Sequence, residues 1–469
     1  MPNPPMDRRS FLKYSAATAA ALVPGAAWAQ QGQNRPAAAG SAGAAGRSAN
    51  GKLNVASIGC GGMGKADLEQ IAAHPDVQIV ALCDVDARRA AESFEKFPDA
   101  RRFTDFREMF QAMGDKLDAV HVSTPDHTHA AAAMTALNHD KHVYTQKPLT
   151  HDIYEARQLA KVAAAKPKLA TQMGTQNASR VQKRQALALL ADPAKREQTV
   201  GRVMAIYGWS DRPVGWWPQG EQRPEGKDPV PDTMKWDLWL GTAAERPYKE
   251  KAYAPFVWRG FYDFGCGALG DMAAHIMDTA YYALDLGHAQ SVVSHSEDAT
   301  DDMFPSVQHS VLVYPGNEAS GGREIPMYWF DGGAIPTPAA LRVPGKTELK
   351  NNGCVVVGEK ASLVIYHEGE PPMLFDREKE IDIAPMLPEL EQRNHWHHWV
   401  DAALGRNKTD CRFEVAGPLT EQLCLGAIAG RFPHQTLLWD GEAMTFKNSD
   451  AANKLVRRTY RKGFEVENL

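Results

Sequence analysis

The segment from Lys52 to Asp84 constrains the fold more than any other stretch of this chain. Lys52–Ile58 (KLNVASI) reads as a short buried strand, and the turn GCGGMG follows it directly from Gly59 to Gly64. Lys65–Ala73 has helical character, and Val77–Cys83 (VQIVALC) is a second apolar strand. Asp84 closes that strand 20 residues after Gly64. Strand, G-x-G-x-x-G turn, helix, strand and terminal acid form a βαβ unit of the dinucleotide-binding kind. Gly59, Gly61, Gly62 and Gly64 let the backbone approach a pyrophosphate, with Met63 on the same turn, and Asp84 is placed for ribose hydroxyls. A carboxylate there repels a 2′-phosphate and argues for NAD, while Arg88 and Arg89 leave room for NADP.

A second G-x-G-x-x-G, GCGALG from Gly265 to Gly270, lacks that context. The preceding WRGFYDF is aromatic and charged rather than a buried strand, and no acid stands at the matching distance. The stretch leads instead into a helix, DMAAHIMD, read as starting at Asp271. Asp271 and His275 are four residues apart on it, so both side chains share one face. A carboxylate beside an imidazole fixes its tautomer and raises its basicity, as a general base requires. A helix cap at Asp271 and a packed histidine at 275 would satisfy the same spacing.

The N-terminal half continues as a doubly wound α/β pattern. Leu117–Val122 is a strand ending in Ser-Thr-Pro-Asp-His-Thr-His, Ala130–Asn138 is helical, and His142–Gln146 is a strand ending at Lys147-Pro148. A helix from about His151 to Ala165 comes next, then a strand at Leu169–Met173. Ligands in such sheets lie beyond the carboxyl ends of the strands. Thr124, Pro125, His127, Gln146, Lys147 and Gln176 are therefore expected at the cofactor. The HTH at 127–129 has no third ligand at matching spacing, and although the cluster His395, His397, His398 suggests metal, no metal site is expected.

Before this unit, Arg8-Arg9-Ser10-Phe11-Leu12-Lys13, an Ala-rich run and Ala27-Trp28-Ala29 occur in the order of a cleavable twin-arginine export signal, residues 1–29. Residues 30–51 are Gly/Ala/Ser-rich and read as a flexible linker. The export machinery is thus an expected partner, the destination periplasmic or secreted, and no membrane anchor is expected. A net charge of -5 gives no electrostatic case for nucleic acid. An exported nicotinamide enzyme has no free cofactor pool, so the nucleotide should be tightly bound. The six cysteines show no metal spacing, and Cys60 and Cys83 read as buried thiols.

These motifs resemble the Gfo/Idh/MocA (glucose–fructose oxidoreductase / inositol dehydrogenase) family, most closely its exported twin-arginine branch. The resemblance runs from Lys52 to about Arg461. It rests on GCGGMG, CDVD at 83–86, VSTPDHTHA at 122–130, QKPLT at 146–150, WDLWLG at 236–241, GALGDMAAHIMD at 267–278 and FEVAGPLTEQ at 413–422. It implies a Rossmann domain, residues 52–173, followed by an α+β substrate and oligomerisation domain, residues 174–469, with a large open, mostly antiparallel sheet. It also implies catalytic roles for Lys147, Asp271 and His275. Lys147 would touch the nicotinamide ribose and the substrate hydroxyl, and His275 would take the hydroxyl proton as hydride leaves carbon. Gln146 departs from the family's Glu-Lys-Pro motif, which puts the tuning of Lys147 in doubt.

The Trp-rich segment GWSDRPVGWWPQG at 208–220 and the later Trp258-Arg259 supply Arg212, Trp216, Trp217, Trp258 and Arg259 as candidates for a sugar subsite, with His275 at the reacting hydroxyl. Indole faces cover the apolar faces of a pyranose, although a loop pinned by Trp packing explains the same residues. The expected function is NAD(P)-dependent oxidation of a secondary hydroxyl of a sugar or glycoside. A redox-neutral glycosidase or lyase working through a keto-sugar is the alternative. A sugar-binding protein without chemistry is a third reading, opposed by Lys147, Asp271 and His275. A homo-oligomer, dimer or tetramer, is expected from the open sheet.

Overall fold

The computed structural model describes residues 51–469, so the export signal and nearly all of the linker lie outside the described residues. Two sheets organise them. The first holds β1 (Leu53–Ile58), β2 (Val77–Cys83), β3 (Arg101–Phe103), β4 (Ala119–Val122), β5 (His142–Thr145) and β6 (Thr171–Met173). All pairings are parallel, in the order β3-β2-β1-β4-β5-β6. Its centre strands are buried along nearly their whole length, because helices cover both faces of a parallel sheet.

Helices α1 (Met63–Ala72), α2 (Ala87–Lys96), α3 (Phe106–Met113), α4 (Asp126–Asn138) and α5 (Ile153–Ala165) make the crossovers. Two begin earlier than their composition indicates. Helix α1 includes Gly64, because a Cβ there would sit 2.2 Å from the Gly59 carbonyl oxygen, and only glycine lets the helix pack on the turn. Helix α4 begins at Asp126, after Pro125 with φ of -60°, so the histidines at 127 and 129 lie in its first turn. A capping box fixes the start of α5, with Asp152 accepting from the Glu155 N–H at 2.8 Å.

The second sheet has ten strands in the order β14-β13-β12-β11-β7-β10-β9-β8-β15-β16, with β13 (Met373–Phe375), β14 (Glu380–Ile381), β15 (Leu437–Asp440) and β16 (Thr445–Phe446) as its outer members. Its central members are β7 (Val203–Trp209), β8 (Ser291–Ser296), β9 (Gln308–Tyr314), β10 (Ile325–Phe330), β11 (Gly353–Gly358) and β12 (Ser362–Tyr366). Only β7 and β10 run parallel; the other pairings are antiparallel, as expected. Along β8, β9 and β10 side chains alternate between buried and half-buried, so one face packs on helices and the other turns outward.

The buried face meets helices α6 (Val181–Ala191), α7 (Gly267–Ile276), α8 (Asp278–Ala283) and α10 (Phe413–Ala429). A single apolar cluster runs from Val120 and Val143 of the first sheet through Leu269 and Phe413 to Leu312 and Met327 of the second. The chain then crosses back. Helix α9 (His395–Ala403) lies on the first sheet's layer, where Trp399 and Val400 pack with Leu53, Val55 and Tyr144. The division at residue 174 is therefore not clean in space, since this C-terminal helix completes the nucleotide sheet's core. Its three histidines serve packing and polar contacts; His395, for instance, lies 2.8 Å from Ser179 Oγ and 3.1 Å from Gln172 Nε2. All six cysteines are free and buried.

Trp399 is fully buried in that shared layer. Trp399→Ala is expected to lower unfolding stability by about 3–5 kcal/mol, read from denaturant melts of the purified chain.

Candidate active site

At the carboxyl ends of β1, β2, β4 and β5 a cleft of about 620 Å³ opens between the two sheets. The fingerprint turn forms one end. Gly59 holds φ of +82°, a conformation that side chains disfavour, and a Cβ on it would strike the Ser123 carbonyl oxygen at 2.4 Å. Gly59, Gly61, Gly62 and Met63 line the cleft, whereas Gly64 does not, being used for packing α1 against the turn. Asp84 Oδ2 accepts from the Cys60 N–H at 2.7 Å and Oδ1 from the Asp86 N–H at 2.9 Å, tying the end of β2 to the turn. Burial pushes this carboxyl above its ordinary range. A bare backbone turn, the free start of a helix and an acid one strand away fit a dinucleotide: pyrophosphate on the turn, ribose on Asp84. Arg89 also reaches the turn, its guanidinium lying where a side chain on Gly62 would be.

Thr124, Pro125, Gln146, Lys147 and Gln176 line the same cleft, as expected. His127 does not. It is fully buried, its Nε2 3.0 Å from the Trp239 carbonyl and its ring against Trp239 and Phe264, and burial drives it down to about 3. The first turn of α4 points this residue away from the strand ends, and His129, two residues on, reaches the cleft instead. His129 lies 2.8 Å from the Thr124 carbonyl and 2.9 Å from that of Pro148, joining two cleft loops.

Opposite the fingerprint turn stands Lys147. Its Nζ donates to Asp271 Oδ1 at 2.7 Å and to the Asp271 carbonyl at 2.9 Å, and Arg259 Nε donates to the same Oδ1 at 3.1 Å. Burial works to raise the Asp271 carboxyl, yet Lys147 and Arg259 outweigh it and hold the group well below the usual carboxylate range. Asp271 lies in the second turn of α7, not at its start, which corrects the expected helix boundary. The second glycine-rich stretch is explained by packing. A Cβ on Gly265 would fall 2.6 Å from the Arg259 Cα, so the missing side chain brings Arg259 alongside Asp271.

His275, one turn further along α7, lines the cleft but makes no hydrogen bond with Asp271, contrary to expectation: the carboxylate is taken by Lys147 and Arg259. Its Nδ1 is buried without a hydrogen-bond partner among the described residues. Burial holds this imidazole well below its ordinary range, with Lys147 and His367 pushing the same way. The ring is therefore uncharged at neutral pH. The fully buried Lys183 grips its backbone carbonyl at 2.9 Å and so fixes the helix turn that carries it.

Arg212, Trp216, Trp217, Trp258 and Arg259 line the outer part of the cleft. Arg212 stacks on Trp216 at 3.6 Å, and Arg259 lies 4.2 Å from the Trp258 ring centre and 4.4 Å from that of Phe256. Trp216 is 51% exposed, a large apolar face presented to the opening. Sequence reasoning missed Phe256, His129 and His367. His367, after β12, lies with its ring centre 5.2 Å from that of His275 and accepts or shares a hydrogen from Asn177 Nδ2 at 2.9 Å. No motif surrounds it, and only the sheet's curvature brings it to the cleft.

Residues 53–174 match the NAD-binding Rossmann fold of the Gfo/Idh/MocA oxidoreductase family, and residues 174–310 match its C-terminal alpha/beta domain. The chain belongs to this family. Residues 5–25 match a twin-arginine translocation signal sequence. Among curated relatives, a scyllo-inositol 2-dehydrogenase (NADP(+)) of Bacillus subtilis is 33% identical over 113 residues, 24% of this chain and 34% of that protein. A levoglucosan dehydrogenase of Pseudarthrobacter phenanthrenivorans is 27% identical over 244 residues, 49% of this chain and 50% of that protein. The chain thus matches between 34% and 50% of the length of these relatives. The WlbA dehydrogenase of Bordetella pertussis, solved with NADH and UDP-GlcNAcA, shares the fold with a TM-score of 0.55 at 15% identity, over 83% of this chain and 99% of that one.

Asp84→Ser is expected to weaken NAD binding by about tenfold or more, the cost of a lost charge-assisted hydrogen bond, and to bring the affinities for NAD and NADP closer together. Titrating the purified protein with each nucleotide measures both effects.

Proposed function

We propose that this protein oxidises a secondary hydroxyl of a sugar or glycoside, using NAD, or NADP, that stays tightly bound through the cycle. The observation that carries the reading is the convergence of Lys147, Asp271 and His275 at one side of a cleft whose other side is the fingerprint turn and Asp84. The nicotinamide, when bound, supplies the hydride acceptor. The chain's own residues supply the rest. His275, uncharged, takes the hydroxyl proton; Lys147 Nζ, oriented by Asp271, stabilises negative charge on the substrate oxygen. Trp216, Trp217 and Trp258 give flat apolar faces to a sugar ring, while Arg212 and Arg259 offer donors to its hydroxyls. Relatives named as inositol and levoglucosan dehydrogenases support a polyhydroxylated ring as substrate.

The signal at the N-terminus supports export in the folded state to the periplasm or beyond. That location favours a nucleotide that is retained and regenerated in place by a second substrate. The outward face of the ten-stranded sheet, where Tyr207 stacks on Tyr328 at 4.6 Å and Met204 is exposed, is the surface we assign to a second copy of the chain.

A redox-neutral glycosidase or lyase is the second reading, and the His275–His367 pair favours it. After oxidation the new carbonyl acidifies the neighbouring C–H. His367 would take that proton as the aglycone leaves with the bonding electrons, water would add to the resulting double bond, and the hydride first removed would return to the carbonyl carbon, so that no net oxidation remains. The two readings separate on the purified protein without added cofactor, mixed with sugars and chromogenic glycosides. Catalytic aglycone release without lasting nicotinamide reduction means a glycosidase or lyase. One stoichiometric burst of reduction that stalls until an acceptor sugar is added means an oxidoreductase.

In either case His275→Ala is expected to lower turnover by about 100-fold or more while nucleotide remains bound; full activity in that variant rules out the proton path. Because His275 is already neutral, the rate should stay level from about pH 8 to about pH 6. A pH–rate profile that falls by half near the ordinary histidine value of about 6.5 would instead identify an exposed base.

A further inference from the structure

Asp67, in the second turn of α1, is fully buried and stands behind the cleft rather than among the residues that line it. Its carboxylate accepts from Gln146 Nε2 at 2.7 Å and from Trp396 Nε1 at 2.8 Å. His121 Nε2 lies 3.4 Å away, and the other nitrogen of that ring is 2.8 Å from Ser57 Oγ. Among the described residues no lysine or arginine pairs with Asp67. A buried carboxylate without a lysine or arginine beside it is costly, and here hydrogen-bonding groups from three separate segments surround it.

The consequence falls on Gln146. A carboxylate only accepts and an amide nitrogen only donates, so the nitrogen of Gln146 is committed to Asp67 and its oxygen must face the other way. That oxygen accepts from the Lys147 N–H at 3.2 Å, and the residue lines the cleft. On the far side, a Cβ on Gly174 would fall 2.9 Å from the amide carbon and nitrogen, so the bare backbone fits flat against the amide and only its hydrogen bonds decide which end faces Asp67. Gln146 stands at the end of β5, between the fingerprint turn and Lys147. The ribose joining pyrophosphate to nicotinamide has to cross this point, and its hydroxyls are donors.

We propose that Asp67 is a positioning residue for the cofactor: it locks the Gln146 amide so that its oxygen is the acceptor offered to a ribose hydroxyl. This rests on the proposed use of a nicotinamide nucleotide in the cleft. The geometry also makes charge exchangeable between the two positions. A carboxylate at 146 with an amide at 67 offers the cleft the same acceptor, whereas carboxylates at both positions would face each other without a proton between them.

NAD⁺ titration of the full chain, followed by tryptophan quenching with thermal melting alongside, tests this on the wild type, Asp67→Asn, Gln146→Glu and the double variant. Asp67→Asn, which allows the Gln146 amide to turn over, is expected to weaken NAD⁺ binding by about tenfold. Gln146→Glu alone should weaken binding and lower the melting temperature, and the double variant should return to within about threefold of wild-type affinity. Wild-type affinity in Asp67→Asn, or a double variant that regains melting temperature but not affinity, overturns the proposal and leaves Asp67 a structural support. Should Asp67→Asn fail to fold, Gln146→Glu against the double variant decides, and equal affinities there overturn it. A wild type that neither carries bound nucleotide when purified nor, once stripped, takes up NAD⁺ or NADP⁺ overturns the proposed function itself, and this inference with it.

Discussion

The ion pair between Lys147 and Asp271 joins the two halves of the site. Lys147 stands just beyond β5 of the nucleotide sheet and Asp271 on α7, a helix packed on the second sheet, so their 2.7 Å contact ties one layer to the other. The same carboxylate oxygen holds Arg259 at 3.1 Å. Two cations thus depend on one largely buried anion, and its removal would leave both with uncompensated charge, a cost of several kcal/mol for a buried group. Arg259 in turn carries the faces of Trp258 and Phe256, so the charge cluster at Asp271 and the aromatic wall of the opening are fixed together. Burial, with Lys147 and His367 pushing the same way, holds the His275 imidazole well below its ordinary range.

The rigidity behind this arrangement comes from a core that does not respect the order of the chain. Helix α10 packs on α5 of the first layer and on α7 and β8 of the second, while α9 returns to cover the nucleotide sheet. Close approach is made possible where side chains are absent. A Cβ on Gly417 would meet the Ala160 Cβ at 2.7 Å, and glycine there lets α10 lie directly on α5. Interiors packed in this way resist continuous deformation, so the distances across the cleft are set by both sheets at once.

Within its family this chain carries glutamine where the Glu-Lys-Pro motif has an acid. The negative charge is not lost from the neighbourhood. It lies one hydrogen bond further back, on Asp67, shielded from the cleft by the Gln146 amide. A neutral residue beside Lys147 leaves Asp271 as the anion in direct contact with that ammonium, so the lysine is oriented toward α7.

Much of this was legible from the amino acids alone, for reasons of local physics. The strand, turn, helix and acid between Lys52 and Asp84 carry their own geometry, because a G-x-G-x-x-G turn at a strand end permits few other folds. The four-residue spacing of Asp271 and His275 placed them on one helical face without any knowledge of what they face. Boundaries were less legible: Gly64, and the Gly267–Gly270 turn before Asp271, joined helices because tertiary contact overrode their poor propensity. Only the folded chain decided that Asp271 would serve Lys147 and Arg259 rather than His275, that His127 would turn inward while His129 reached the cleft, and that His367 would stand beside the base. Each of these depends on side chains from segments far apart in sequence meeting at distances of a few ångströms. Periodicity and spacing report which way a residue faces within its own element, and they are silent about what another element brings to meet it.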